Sequence, residues 1–362
     1  MNTFIAPFAA VTLSLLFASA GALAQGVTAN ASAATATKAV TPAAAPLNVV
    51  VSIPPLKGLI EPMLPEGSKI ELLVPPGVSE HGYEIPPGRL AELARADVVV
   101  WVGLGMEPQV EKALSNTARA NAAAGSASRI VIKLEDVPAV KASVKPESSD
   151  HAHHHHDPQT GACVHEIDPH AWLDPMMALA LTDEIALQLA KRELGGSATE
   201  TQIRAWINTR PAIAKLQRQI MDTHLRLQQV TSNAQRRTIV VAHDAFGWLA
   251  RRYDLKVVPL AGLNAQEPRP DDLRKAAETV RELKLTTVFI EPQVSKASAE
   301  RVAKLSGAKL DTLDPLGDGD WLKLMKANAE ALERALGRKA AAETSANPPA
   351  PASGEKPAGA VR

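Results

Sequence analysis

Histidine is the residue type in this sequence that most clearly suggests chemistry. The chain of 362 residues has ten histidines. His81 follows the apolar run KIELLV on a loop that begins with Pro-Pro-Gly, His243 ends the run TIVVAH, and His170 lies between prolines in DPHAWLDP. Neutral imidazoles are the commonest zinc ligands, and three of them with an oxygen donor suit that ion. The three histidines therefore predict a metal site built from distant parts of the chain.

Each candidate residue also has an ordinary structural explanation. A histidine beside proline and glycine is commonly a loop residue, and Asp314, which precedes a proline, is a typical turn former. Glu291 ends the run TTVFIE, where it would either orient a ligand imidazole or cap the next helix. The metal hypothesis depends on the group, because side chains that follow several strands of an open α/β sheet converge on one cleft.

A second group of histidines forms a local run within residues 140–166. This segment has no apolar periodicity and is expected to be a disordered loop. Ordering it would cost about 1–2 kcal/mol per residue, so its metal sites should be weaker than a preformed cleft. Two interpretations stay open: a low-affinity collector or sensor of zinc, and a solvated loop without a role. The members of the run are His151, His153, His154, His155 and His156.

The hydrophobic pattern predicts an α/β fold. Strands that are apolar throughout and alternate with helical segments indicate mostly parallel sheets covered on both faces. The strands fall into two sets of four, so we expect two lobes, each with a four-stranded sheet flanked by helices and with the metal between them. The predicted strands span 48–53, 69–74, 97–103, 129–134, 238–243, 255–262, 286–292 and 309–314.

The middle of the chain is predicted to be helical. Residues 175–232 carry no strand signal, and one long connector helix is expected over 199–232, kinked by Pro211. This connector would separate an N-terminal lobe of residues 47–198 from a C-terminal lobe of residues 233–337.

The ends of the chain have a composition of their own. An apolar run leading to Ala-Leu-Ala predicts a signal peptide over residues 1–24, cut near Ala24, and therefore export to the periplasm. No cysteine follows this run, so no lipid anchor is expected, and the single Cys163 excludes an internal disulfide. Residues 25–46 and 338–362 have the composition of disordered segments.

The overall charge gives no indication of a polyanionic partner. Lys plus Arg and Asp plus Glu number 39 each, and aromatic residues make up only 3% of the chain. A balanced charge and few aromatic side chains argue against nucleic acid as a partner.

Four separated motifs resemble those of the high-affinity zinc-uptake binding proteins, which are the periplasmic metal receptors of ABC transporters. They are SEHGYEIPPGRLAELARADVVVWVGLGMEPQVEKAL, DPHAWLDP, VVAHDAFGWLARRYDL and VFIEPQVSKASAERVAKLSGAKLDTLDPLG, in the family's order. The resemblance covers about residues 46–337. It implies two lobes joined by one long helix, no enzymatic activity, and a monomer that delivers Zn²⁺ to a membrane permease with its cytoplasmic ATPase.

The same resemblance assigns the ligands. It places the three ligand histidines at His81, His170 and His243, and it leaves the fourth position open between Asp314, Glu80 and water. A histidine at position 243 favours zinc, because manganese-type relatives have a carboxylate there.

Two alternatives remain open. A manganese or iron receptor of the same family would use Asp314, although harder ions prefer more oxygen donors. A zinc hydrolase would need a base beside a bound water, for which Glu80 is the obvious candidate.

Overall fold

The computed structural model describes residues 44–124, 129–144, 155–156, 163–164 and 167–339. The predicted signal peptide, most of the Ala/Thr-rich segment, the tail from residue 340 and three histidines of the run (His151, His153 and His154) lie outside the described residues. No helix of the described part is long and apolar enough to cross a membrane.

The eight strands of the two lobes occupy the predicted places. Buried β-branched residues dominate Asn48–Val51, Val98–Trp101 and Thr238–His243, as expected for strands that are covered on both faces, whereas Lys69–Leu72 and Lys309–Thr312 are more exposed. The strand bounds are β1 Asn48–Val51, β2 Lys69–Leu72, β3 Val98–Trp101, β4 Ile130–Lys133, β5 His155–His156, β6 Cys163–Val164, β7 Thr238–His243, β8 Lys256–Ala261, β9 Thr287–Ile290 and β10 Lys309–Thr312.

The helices alternate with these strands along the chain. Their bounds are α1 Pro54–Ile60, α2 Pro87–Arg95, α3 Pro108–Ala124, α4 Pro138–Ser143, α5 Pro175–Leu194, α6 Glu200–Asn208, α7 Pro211–Ser232, α8 Gly247–Tyr253, α9 Pro270–Glu282, α10 Ala297–Ser306 and α11 Trp321–Leu336.

Two groups of parallel strands form the centres of the two lobes. In the N-terminal lobe, from β1 to α5, one sheet has the order β2-β1-β3-β4, and all its pairs are parallel. In the C-terminal lobe, from β7 to α11, the pairs are β7–β8 and β9–β10, both parallel, with β7 lying beside β9. The α/β fold with parallel sheets flanked by helices is confirmed, and the C-terminal strands are arranged as two adjacent pairs.

Proline marks most helix starts in this chain. Seven of the eleven helices in the described residues begin with proline, where its missing N–H and fixed φ are favourable. Pro211 is one of them. The predicted single helix over 199–232 is therefore two helices, since Pro211 begins α7 instead of kinking a continuous helix. Helix α7, with 22 residues, is the connector.

The segment with the histidine run also needs a correction at its start. Helix α4 extends to Ser143, so the irregular segment that was predicted from residue 140 begins later. Within this segment, β5 and β6 pair antiparallel, with His155 opposite Val164 and His156 opposite Cys163.

The main hydrophobic core is continuous through both lobes. It includes residues of the N-terminal sheet, such as Val49 and Val98, together with Trp172, Phe246 and Trp321 near the lobe boundary. Two smaller clusters lie beneath α2 and α3 in one lobe and beneath α9 and α10 in the other. The two lobes thus share one packed hydrophobic core at their boundary.

Candidate metal centre

Four side chains from three places in the sequence meet between the lobes. They are Glu80 and His81, from the loop after β2, His170, just before α5, and His243, the last residue of β7. One ligand atom from each residue lies within 4.8 Å of all the others. This is the group of His, Cys, Asp and Glu residues in the described part of the chain whose geometry would hold a metal ion.

The distances within the group match a tetrahedral ion. His170 Nε2 lies 3.3 Å from His81 Nε2, 3.4 Å from His243 Nε2 and 3.4 Å from Glu80 Oε1. The Glu80 Oε1 to His81 Nε2 distance is 3.7 Å. Ligands about 2.0–2.1 Å from a tetrahedral zinc ion lie roughly 3.3–3.4 Å from one another. The four atoms therefore surround a position of the right size.

The loop that carries Glu80 and His81 begins where proline ends the strand. Pro75 and Pro76 stop the β2 segment, and Gly77 has a φ of 81°, which glycine adopts without strain. His81 N–H donates to Ser79 Oγ at 3.2 Å, within the loop. The His81 side chain is 9% exposed, whereas that of Glu80 is 1% exposed. The loop thus buries a carboxylate and leaves its imidazole partly accessible.

His170 is held by a carboxylate two residues earlier. Asp168 Oδ1 accepts the His170 backbone N–H at 2.9 Å and lies 2.8 Å from its Nδ1. Because a carboxylate only accepts, Nδ1 carries a hydrogen, and Nε2 is the nitrogen directed towards the group. Sequence reasoning did not identify Asp168, although an Asp two residues before a histidine is a typical turn pattern.

His243 has an equivalent partner on the neighbouring strand. Glu291, which follows β9, accepts the His243 N–H through Oε1 at 3.1 Å, and its Oε2 lies 2.5 Å from Nδ1. Both side chains are at most 1% exposed. Of the two roles expected for Glu291, the structure places it as the residue that orients an imidazole.

The electrostatics of the group favour a cation. Burial alone would lower the pKa of His170, but the hydrogen bond with Asp168 and the proximity of Glu80 raise it to about 10. Burial would raise the pKa of Glu80, but the neighbouring histidines, His170 first, lower it to about 2. Burial lowers the pKa of His81 to about 4. The carboxylates thus stabilise positive charge at the centre.

The fit to a metal ion also rests on one oxygen atom. Glu80 Oε1 is buried and makes no hydrogen bond of acceptable geometry among the described residues. A buried carboxylate oxygen without such a partner is expensive, since the desolvation of a charged group is then uncompensated. A cation between this oxygen and the three Nε2 atoms would satisfy it.

Asp314, the other candidate for the fourth position, is used elsewhere. Its Oδ1 accepts the N–H groups of Leu316 at 2.9 Å and Gly317 at 3.0 Å, and the Gln293 amide at 2.8 Å. These bonds form a turn after β10, which was the ordinary explanation for an aspartate before proline. Asp314 lies outside the group of four, whereas Glu80, the other candidate for the fourth position, belongs to it.

The members of the histidine run that lie among the described residues are His155 and His156, which form β5. The role of the run stays a prediction.

A family model decides the relationship. The model for the zinc-uptake complex component A, periplasmic (ZnuA) matches residues 49–335. This chain belongs to the ZnuA family. A high-affinity zinc uptake system protein ZnuA of Bacillus subtilis (strain 168) is 28% identical over 300 residues, covering 80% of this chain and 88% of that protein. A solved structure titled "Crystal structure of ZnuA" is 27% identical, with a TM-score of 0.63, covering 81% of this chain and all of that one.

Relatives named for other metals also match. The manganese-binding lipoprotein MntA of Halalkalibacterium halodurans is 26% identical, covering 80% of this chain and 88% of that protein. The iron-binding protein YfeA of Yersinia pestis is 26% identical, covering 66% of this chain and 68% of that protein. Membership of the ZnuA family therefore identifies this chain as a metal-binding solute-binding protein. Which metal it binds must be argued from the side chains of the centre.

Proposed function

We propose that this protein captures Zn²⁺ between its lobes in the periplasm and delivers it to an ABC-type permease. The observation that carries the proposal is the group formed by Glu80, His81, His170 and His243. Three imidazole nitrogens and one carboxylate oxygen at tetrahedral spacing suit zinc. Ions such as Mn²⁺ prefer more oxygen donors and higher coordination numbers, so they fit this set less well.

The same set of donors argues against a hydrolase. Catalytic zinc sites use three protein ligands and leave the fourth position to water. Here Glu80 Oε1 is 3.4 Å from His170 Nε2, at the distance of a fourth ligand instead of a base beside water. A closed site of four protein donors suits a transported ion, which is bound and released without reaction.

The family and the N-terminal sequence support export and delivery as parts of the proposal. The matching family model is described as periplasmic, one relative is named a manganese-binding lipoprotein, and residues 1–24 have the pattern of a signal peptide. We propose that the mature chain begins near Gln25 and that the permease, with its ATPase, takes the ion from the cleft.

The metal assignment is tested by competition. The purified mature protein is loaded with Zn²⁺ or Mn²⁺, and each metal is titrated against the other while the bound metal is counted by mass spectrometry. We expect Zn²⁺ to displace Mn²⁺ and to be retained. Stronger retention of Mn²⁺ would contradict the zinc assignment, and turnover of ester or peptide substrates by the zinc form would support the hydrolase.

A second experiment separates the centre from the histidine run. His170→Ala should remove the tight site, whereas deletion of residues 151–156 should leave it intact. His224→Ala is the matched control, since His224 lies on α7 and its ring bonds to the Tyr253 hydroxyl at 3.0 Å. Loss of tight binding on deletion of the run, with His170→Ala unaffected, would reverse the assignment.

A further inference from the structure

The segment that carries His170 is joined to the opposite lobe by alternate residues. The N-terminal lobe contains residues 168–174, which we call the seam. At Asp168 the backbone carbonyl accepts the Trp248 indole N–H at 2.9 Å, and at His170 the ring meets His243. Both partners belong to the C-terminal lobe. Two further residues of the seam, Trp172 and Asp174, make the same kind of contact.

Trp172 both donates a hydrogen bond to the C-terminal lobe and accepts one from it. Its indole N–H donates to the Pro315 carbonyl at 2.7 Å, and its own carbonyl accepts the Trp321 indole N–H at 2.9 Å. Both tryptophans are fully buried. The Trp172 ring also lies against His170, with ring centroids 5.1 Å apart. The two hydrogen bonds hold the backbone at Trp172 next to His170, and the Trp172 ring packs against the His170 ring.

Asp174 provides the last bond of the seam. Its carboxylate receives Arg252 Nε at 3.0 Å and 2.9 Å, and Arg252 Nη2 at 2.7 Å, which is a two-pronged contact with α8. The same carboxylate caps α5 by accepting the Met176 N–H at 2.9 Å. A charge-assisted pair of this geometry, with Asp174 only 3% exposed, fixes the start of α5 against the C-terminal lobe.

The two lobes also approach closely beneath the seam. A Cβ on Gly58 of α1 would lie 2.5 Å from the Trp321 backbone nitrogen and 2.8 Å from the Gly319 carbonyl oxygen. Glycine is therefore required for this contact between α1 and the start of α11. The partner of Trp172 is thus itself fixed against the N-terminal lobe.

The loop of Glu80 and His81 is positioned differently. Its hydrogen bonds include His81 N–H to Ser79 Oγ and Ile85 N–H to Gln109 Oε1 at 2.9 Å, both within the N-terminal lobe. A Cβ on Gly77 or Gly82 would meet no atom within 4 Å. The backbone here is open, in contrast to the seam.

We propose that Trp172, Trp321 and Arg252 are positioning residues that clamp His170 to the C-terminal lobe, so that His170 and His243 act as one rigid pair in metal exchange. The proposal rests on the zinc site proposed above. Its consequence is that the metal is gained and lost on the side of Glu80 and His81, while the pair keeps its geometry.

The experiment compares tryptophan replacements in the full mature protein. Trp172→Phe and Trp321→Phe each remove one indole hydrogen bond of the seam and keep most of the ring. Trp206→Phe is the matched control, because Trp206 of α6 is 7% exposed and its Nε1 has no partner in the described structure. The readouts are the rate of Zn²⁺ loss to a chelator, followed by stopped flow, and the visible spectrum of the Co²⁺ form.

We expect both seam variants to lose Zn²⁺ about tenfold faster or more and to change the Co²⁺ spectrum. Replacing residues that orient metal ligands from the outer shell typically lowers metal affinity by about 10–100-fold. Trp206→Phe should match the wild type in both readouts. Arg252→Ala should behave like the seam variants, and Arg252→Lys should restore part of the slow rate by keeping the charge.

The outcomes also distinguish this proposal from the zinc site itself. If the wild type retains no Zn²⁺, the proposed function fails. If the wild type retains Zn²⁺ but both seam variants release it at the rate of Trp206→Phe with an unchanged spectrum, the clamp is wrong and the zinc site stands. A seam variant that fails to fold is recognised by circular dichroism, and the Arg252 pair then decides.

Discussion

The two halves of the metal centre are held in different ways. His170 and His243 are at most 1% exposed, and each has a carboxylate on its Nδ1, from Asp168 and Glu291 respectively. His81 is 9% exposed and is held through a backbone bond to Ser79. One half is therefore oriented by carboxylates on its ring nitrogens, and the His81 side of the centre is fixed by fewer side-chain contacts.

This difference suits a protein that must both bind and release an ion. A ligand pair fixed before binding loses little conformational freedom when the metal arrives, which strengthens binding. A rigid cage on all four sides would slow entry and exit, so one side has to be on a less constrained segment. His81, which is partly exposed and lies next to Gly82 where a Cβ would meet no atom within 4 Å, is placed to fulfil that requirement.

The strongest test of the comparison removes one histidine from each half. Dividing the roughly 10–16 kcal/mol of a structural zinc site among four ligands gives about 2.5–4 kcal/mol each, or about 100–1,000-fold in affinity. We expect His170→Ala to reach this loss, because it removes the ring that contacts the buried carboxylate of Glu80 and the partly exposed carboxylate of Asp168. His81→Ala should lose about tenfold less, since water can reach the partly exposed position.

Affinities are measured by competition with a chelator of known strength, with His224→Ala as the control that should not change. Equal losses of zinc affinity in His81→Ala and His170→Ala would mean that the two halves of the centre contribute alike to binding. The proposed difference between the two halves would then be wrong.

The next test addresses the carboxylates behind the rigid half. Asp168→Asn and Glu291→Gln keep the size of the side chain but remove the charge that holds Nδ1–H, and we expect each to lower zinc affinity by about 10–100-fold. Glu107→Gln is a matched control at another buried acid, which accepts the N–H groups of Val102 and Gly103. Zinc affinity measured by chelator competition should be unchanged in this control.

If Glu107→Gln lowered zinc affinity as much as Asp168→Asn does, the acids would act through the overall stability of the protein. The effect of Asp168→Asn would then say nothing specific about the metal centre. Thermal unfolding of the metal-free variants provides the check, because it reports stability without the ion.

Most of the fold and part of the site could be predicted from the sequence. Apolar runs locate the eight strands of the two lobes, most clearly β1, β3 and β7, because strands covered on both faces are apolar throughout. The three histidines stand beside strand ends and prolines, so their convergence could be argued. Pro211 was misinterpreted, since a proline after a helical run starts a helix as readily as it kinks one.

The parts that could not be predicted depend on distant partners. Glu80 and Asp314 are both carboxylates in loops that follow strands. Only the folded structure shows that Asp314 accepts hydrogen bonds from Leu316, Gly317 and Gln293. The bond between Trp321 and Trp172 joins residues 149 positions apart. No local pattern contains such a pairing, so the seam had to be seen in the structure.

The pH dependence of binding distinguishes the halves further. The pKa of His170 is raised to about 10, so in the metal-free protein this ring is protonated at neutral pH, and binding must release that proton. We expect zinc affinity to rise about tenfold per pH unit between roughly pH 6 and 9 and to level off above about pH 10. His81, with a pKa of about 4, adds a second proton only in acid.

The measurement uses chelator-buffered free Zn²⁺ at each pH. In Asp168→Asn the support for the charged ring is lost, so the level region should begin at lower pH. An affinity that stays flat from pH 6 to 9 in the wild type would show that no ligand of the rigid half holds a proton.

The smallest expected effect concerns the backbone of the loop. Gly82 follows His81 with a φ of 69°, and a Cβ there would meet no atom within 4 Å, so Gly82→Ala adds backbone strain without a clash. Left-handed backbone costs an ordinary residue about 1 kcal/mol, which is about fivefold if the loop relaxes away from the metal. We expect Gly82→Ala to lower zinc affinity by about that factor and to speed its loss to a chelator.

Gly307→Ala is the control for strain alone. Gly307 ends α10 with a φ of 80°, and a Cβ there is also free of contacts. The two variants should lose similar stability in thermal unfolding, but only Gly82→Ala should change metal exchange. If Gly82→Ala leaves exchange at the wild-type rate while Tm falls as in Gly307→Ala, the loop keeps His81 in place despite the strain. In that case the half assigned to movement is as firmly held as the seam.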